Sequence, residues 1–115
     1  MNIAQIAKMA QQMQAQVAQA QDQLRETTLE ATSGGGAVRV VITGAQEVRQ
    51  IEIDRSAVDP EEVEMLQDLV MAAVNDAIAR SKDLERERMA SVAGGVGLPG
   101  MPGLPGLSGS SRSGR

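Results

Sequence analysis

Apolar and small side chains recur through the first quarter of the chain at Ile3, Ile6, Ala10, Met13, Val17, Ala20 and Leu24. The steps alternate between three and four residues, the a/d heptad pattern of a helix with a narrow apolar seam. Glutamines fill much of the remainder, at Gln5, Gln12, Gln14, Gln16, Gln19, Gln21 and Gln23, and neither Gly nor Pro interrupts. Gln and Ala suit a helix, and Asn2 is placed to cap its first turn. The spacing predicts one long helix over residues 2–27 whose seam pairs with another helix. The alternative is an amphipathic helix lying on a small sheet.

The period then changes. Residues 27–33, with β-branched Thr27, Thr28 and Thr32, predict a short strand, and Gly34-Gly35-Gly36 follow it. Val38, Val40 and Ile42 alternate with Arg39, Val41 and Thr43, as in a half-buried strand. Gly44-Ala45-Gln46-Glu47 reads as a hairpin turn, and residues 48–54 as a third strand with Ile51 and Ile53 on one face. Three strands at this spacing make an antiparallel meander. Phosphate loops place glycines between a strand and a helix start, whereas these three lead into a strand and no Gly-Lys-Ser/Thr follows. A flexible or bulged strand connection accounts for them.

A second helix announces itself with Asp59 as N-cap, Pro60 at the first helical position, and Glu61 and Glu62 beside the positive end of the dipole. Val63, Leu66, Val70, Ala73, Ala77 and Leu84 form its stripe, widened by Leu69, Val74 and Ile78. It is expected to run from Pro60 to about Val92, before Gly94-Gly95. Its first half should cover the sheet; its charged part from Ser81 to Met89 should project into solvent. Beyond it, Gly97, Gly100, Gly103, Gly106 and Gly109 recur every third residue among Pro99, Pro102 and Pro105. Four such triplets are too few for a collagen helix, so residues 96–115 read as a disordered Gly/Pro/Ser-rich tail. The fold class is α+β: long helix, three-stranded antiparallel sheet, long helix.

Composition narrows the chemistry. In 115 residues there is no Cys, His, Phe, Tyr or Trp. Disulfides, thiolate zinc sites, cysteine nucleophiles and Ser-His-Asp triads are excluded within one chain, as is base stacking on aromatic rings. No catalytic, metal or cofactor site is expected, and no small-molecule substrate: only carboxylates, serines and Lys8 or Lys82 could serve an enzyme, in no recognisable arrangement. Residues 1–10 lack a secretory pattern and no run is long enough to span a membrane, so a cytoplasmic chain without membrane contact is expected. An aliphatic core this small is marginal, so burial against a second copy would help it.

The quoted blocks together resemble the YbaB/EbfC family of bacterial nucleoid-associated proteins. The resemblance rests on Met9-Ala10-Gln11-Gln12-Met13-Gln14, on Gly34-Gly35-Gly36 leading into Val38-Arg39-Val40, and on Gly44 and Glu47. It continues through Ile51-Glu52-Ile53-Asp54, Val58-Asp59, Leu66-Gln67-Asp68-Leu69 and Ala72-Ala73-Val74-Asn75-Asp76-Ala77. Arg55 stands where that family usually has proline. The resemblance implies a tweezer-like homodimer, residues 1–95 being the dimerising DNA-binding domain. It also implies association with the nucleoid, with effects on DNA conformation and gene expression, and no catalysis or cofactor.

The partner so implied is duplex DNA, although the formal charge of −4 is unfavourable for a phosphate-binding surface. Distribution matters more than the sum. Arg80, Lys82, Arg86 and Arg88 lie at the polar end of the second helix, and with Lys8 and Arg25 of the first they are candidate phosphate contacts. Arg39 and Arg49 on the hairpin are further candidates. Each has a plainer reading: Asp76 and Asp83 are spaced to pair with Arg80 and Arg86, and Glu30 and Glu52 can pair with Arg39 and Arg49 across strands. Arg112 and Arg115 could contribute from the tail. No base-reading pattern is evident, so little sequence preference is expected. The other function class is a protein-interaction adaptor acting through the helical seam and the Leu-Pro-Gly tail.

Overall fold

The computed structural model describes residues 2–95. Helix α1 spans Ile3–Glu26, strands β1, β2 and β3 span Thr28–Ser33, Val38–Thr43 and Val48–Ile53, and helix α2 spans Val63–Gly95. The strands form an antiparallel sheet in the order β1-β2-β3. The expected α-β-β-β-α order is therefore the observed one. The tail expected over residues 96–115, with Arg112 and Arg115, lies outside the described residues.

Local chemistry sets the boundaries. Asn2 Oδ1 accepts from the Ala4 N–H at 2.8 Å and caps α1. Asp59 Oδ1 accepts from the Glu61 N–H at 3.0 Å, and Pro60–Glu62 form a tight 3₁₀ turn that opens α2. Gly34, Gly35 and Gly36 have φ of 62, 67 and 97°, the left-handed region that residues with a Cβ rarely adopt. The triplet is thus a tight left-handed connection between β1 and β2. Helix α2 runs through Gly94 to Gly95, past the expected stop near Val92. Val92 is half-buried in a groove beside α1, and that packing outweighs the poor helix propensity of glycine.

The core lies between α2 and one face of the sheet. Val38, Val40 and Ile42 of β2 are fully buried with Ala31 of β1 and Ala73 and Ala77 of α2. Leu29, Leu66, Leu69, Val70, Val74 and Ile78 pack around them. The two alanines let α2 sit close to the strands, and it covers β1 and β2 but leaves β3 uncovered. In β3 a bulge at Arg49 shifts the register, so that Val48, Ile51 and Ile53 oppose Ile42, Val40 and Val38. All three therefore share the core-bearing face yet remain exposed.

The second half of α2 does not project into solvent as expected. Ser81 is fully buried, and Leu84, Glu85, Arg88, Met89 and Val92 are half-buried. This half runs antiparallel to α1: Glu85 lies near Leu24 and Arg25, and Ser91 and Val92 near Gln16, Gln19, Ala20 and Gln23. Lys82, Asp83, Arg86 and Glu87 point outward, while Ser81, Leu84, Arg88 and Val92, at three- and four-residue spacing, face α1.

Both helices converge on the β2–β3 turn. The Gly44 N–H donates to the Leu24 and Thr27 carbonyls, each at 2.9 Å. A Cβ on Gly44 would fall 2.7 Å from Leu24 Cδ2 and 3.1 Å from the Leu24 carbonyl. The Ser81 hydroxyl donates to the Thr43 carbonyl at 2.7 Å and accepts from the Gln46 N–H at 3.1 Å and Nε2 at 2.8 Å. Gln46 itself has φ of 62°. Gly44→Ala should lower the unfolding free energy by about 1–3 kcal/mol through overpacking. Ser81→Ala should cost less, about 0.5–1.5 kcal/mol, because the Thr43 carbonyl keeps the Gln46 N–H and the Gln46 side-chain amide keeps the Gly44 carbonyl. Urea denaturation of each variant measures both.

Candidate nucleic-acid interface

Among the described residues the cations are the side chains whose charge suits a polyanion, and their surroundings differ. Arg39, in the middle of the central strand, faces away from α2. Its guanidinium donates to Glu52, directly opposite, at 2.7 Å, and to Glu30, one step diagonally across β1, at 2.6 Å. The hydrogen bond from Arg39 and then its charge hold the Glu30 carboxyl below its ordinary value of 4.5. The same two hydrogen bonds push Arg39 further up. Arg39 is thus fully engaged in spanning the three strands, and a phosphate would have to displace two carboxylates to reach it.

Arg49, the bulge residue, donates to the Arg25 carbonyl at 3.2 Å and lies 3.5 Å from a Glu47 carboxylate oxygen. A cation on the last carbonyls of α1 is favoured by the helix dipole. The contact also brings Arg25 beside Arg49 at the turn, with Arg25 paired to Asp22.

The cluster on α2 disperses around its axis. Arg80 pairs with Asp76 at 2.9 Å, and Arg86 with Asp83. Lys82 and Arg86, four residues apart, share the outward face. Arg80 occupies another flank, and Arg88 is half-buried on the side toward α1. Lys8 lies on the side of α1 away from the seam. Among the described residues Lys8, Arg55, Lys82 and Arg88 make no ion pair with a carboxylate. Exposed Arg55 lies alone in the loop after β3, outside any basic cluster, and nothing in the sequence around it marks it as a phosphate contact. Its neighbours are acidic: Asp54, Asp59, Glu61, Glu62 and Glu64 crowd that end of the molecule. The end where α1, the β2–β3 turn and the second half of α2 meet carries Arg25, Arg49, Arg80, Lys82, Arg86 and Arg88.

The seam positions divide. Ala20 and Leu24 are buried under α2 of the same chain, Val17 and Met13 are half-buried, and Ala10, Ile6 and Ile3 are exposed. Among the described residues no group of three acidic side chains converges as a metal site would require. No helix there is long and apolar enough to cross a membrane.

The described chain is a helix, a three-stranded meander and a second helix, with cations spread over one end. The profile of the YbaB/EbfC DNA-binding family matches residues 1–96, and the chain belongs to that family. A nucleoid-associated protein of Moorella thermoacetica is 50% identical over 102 residues, covering 86% of this chain and 98% of its own. One from Chloroflexus aurantiacus is 47% identical over 96 residues, 84% of this chain and 96% of its own. The crystal structure of an uncharacterized Helicobacter pylori protein superposes with a TM-score of 0.68 at 26% identity, covering 76% of this chain and 91% of that one.

The Arg39 bridge has a pH signature. Because the folded-state pKa of Glu30 is depressed, the bridge stabilises the fold above 4.5 and loses that effect as pH falls through the lowered value. Arg39→Ala should therefore lower the melting temperature at neutral pH, and the difference from the parent should shrink once the pH drops below 4.5. Thermal melts of both proteins between pH 3 and 7, on the order of the carboxylate range, measure it.

Proposed function

We propose that this is a nucleoid-associated protein that binds duplex DNA as a homodimer with little sequence preference. The observation that carries the reading is the family match, which spans the whole described fold; the relatives' names add the nucleoid. The binding surface is the end bearing Lys82 and Arg86, supplemented by Arg25, Arg49, Arg80 and Arg88, with Lys8 further along α1. Such side chains neutralise phosphates without reading bases, since phosphate contacts position a protein but carry no sequence information. Acidic neighbours offset much of the field, so affinity falls toward the weak end of the non-specific range of about 10⁻⁴ to 10⁻⁶ M. Arg39, held by two carboxylates, contributes least.

The dimer reading draws on the uncovered face of β3. Val48, Ile51 and Ile53 are 40%, 43% and 39% exposed. A second copy covering this flank completes the sandwich that α2 leaves half-built, and it doubles every basic site. The outer part of the α1 seam supports the adaptor reading instead, because Ile3 and Ile6 stand free of the core. Ionic strength separates the two: phosphate binding weakens steeply with salt, apolar docking does not.

Lys82→Glu with Arg86→Glu should weaken binding to every duplex sequence alike and reduce the salt slope by about 0.9 per lost phosphate contact. Fluorescence anisotropy at several salt concentrations tests this, and a parent protein that binds no duplex at low salt would hand the function to the adaptor reading. Ile51→Glu should give a folded monomer at micromolar concentration by light scattering, since it places a charge in the proposed subunit interface from a position 43% exposed, at the margin of the intrachain core.

A further inference from the structure

Three arginines at the basic end are held in the same way. Arg25 donates from Nη2 to Asp22, Arg80 from Nε to Asp76 at 2.9 Å, and Arg86 from Nη2 to Asp83. Each aspartate stands three or four residues before its arginine, the spacing that brings two side chains together on one face of a helix. Each contact runs through one guanidinium nitrogen, and both partners are exposed. Glu85 and Glu87 lie in the same stretch of α2 yet, among the described residues, pair with no cation.

Arg39 is built the other way. Two of its nitrogens donate to two carboxylates, and its side chain is half-buried on the sheet, so it braces three strands permanently. An exposed pair through one nitrogen is weak by comparison. A phosphate oxygen seeks the same N–H donors that the aspartate uses. It can therefore take the arginine over, but the carboxylate it displaces is left beside it as a like charge.

We propose that Asp22, Asp76 and Asp83 are built-in competitors for phosphate: each occupies an arginine of the unbound protein, and duplex DNA binds by displacing it. The inference rests on the DNA-binding reading above and names what limits that binding. Affinity is set by the exchange of one anion for another, not by the capture of free cations. Lys82, which makes no ion pair among the described residues, meets phosphate without an exchange. Salt dependence follows from the same exchange. A duplex sheds cations as its phosphates are neutralised, with a slope of about 0.9 per contact. A displaced aspartate takes a cation up again, so an arginine held in this way yields a smaller slope than a free one.

The test alters charge equally in two ways. Asp76→Asn with Asp83→Asn and Glu85→Gln with Glu87→Gln each remove two negative charges from one stretch of α2, but only the first frees arginines. In fluorescence anisotropy with a duplex at several salt concentrations, the aspartate variant should bind about tenfold tighter than the parent, with a steeper salt slope. The glutamate variant should gain no more than about threefold, with the slope unchanged. Equal gains would reduce the effect to net charge and overturn the proposal. An aspartate variant that binds no better than the parent would also overturn it, leaving those carboxylates to support the helix alone. Absence of binding by the parent and both variants at low salt would instead remove the DNA reading on which the proposal stands. The Arg80 Nε–H resonance supplies a second readout in the unaltered chain. Saturating duplex should shift it, because its acceptor changes from Asp76 to phosphate. A resonance that stays in place while the duplex binds would refute the exchange.

Discussion

The close approach of α1 to the β2–β3 turn is the constraint on which the rest of the fold depends. Glycine suits position 44, because a Cβ there would press on the Leu24 side chain at 2.7 Å and on the Leu24 carbonyl at 3.1 Å. With that contact made, Leu24 closes over the turn, and Ser81 ties α2 to the same turn through Thr43 and Gln46. Every long element is then referenced to one point of four residues. The sheet alone would be a marginal three-stranded meander. Its stability comes from α2 on one face, and the placement of α2 comes from the anchor at Ser81 and from the hydrogen bond of the Ser33 hydroxyl to the Leu69 carbonyl at the other end.

The same geometry explains which parts of the molecule could be read from the chain. Caps, strands and the hairpin are local, and Asn2, Asp59 and the alternation of Val38, Val40 and Ile42 report them without reference to anything distant. The Arg39 pairing with Glu52 was also legible, since register follows once the hairpin turn is located. The second half of α2 was not, because its dense charges conceal the thin line of Ser81, Leu84, Arg88 and Val92 that meets α1. Nor was the fate of β3. Its pattern is that of a half-buried strand, and only the lateral position of α2 decides that the apolar half stays uncovered.

The candidate site was legible as a list of cations but not as a surface. Four basic residues within nine positions look like a cluster in one dimension. Wound at 3.6 residues per turn they separate, and only Lys82 and Arg86 remain together. The carboxylates between them pair along the helix and stiffen it. Membership of the DNA-binding family, which covers residues 1–96, carries a functional weight that no single side chain here supplies.

The acidic crowd at the start of α2 has a consequence for encounter. The net charge of −4 is not spread evenly. Glu61, Glu62, Glu64 and Asp68 load the start of α2 and the turn before it with negative charge, whereas between Asp76 and Arg88 four cations are interspersed with Asp76, Asp83, Glu85 and Glu87 and cancel them. In the field of any polyanion such a molecule experiences a torque before it experiences contact. Within about 8–10 Å, the screening length at physiological salt, the acidic end swings outward and the balanced end inward. Charges that reduce affinity in the sum thereby act as a rudder, discarding most orientations of approach before a side chain has met a phosphate.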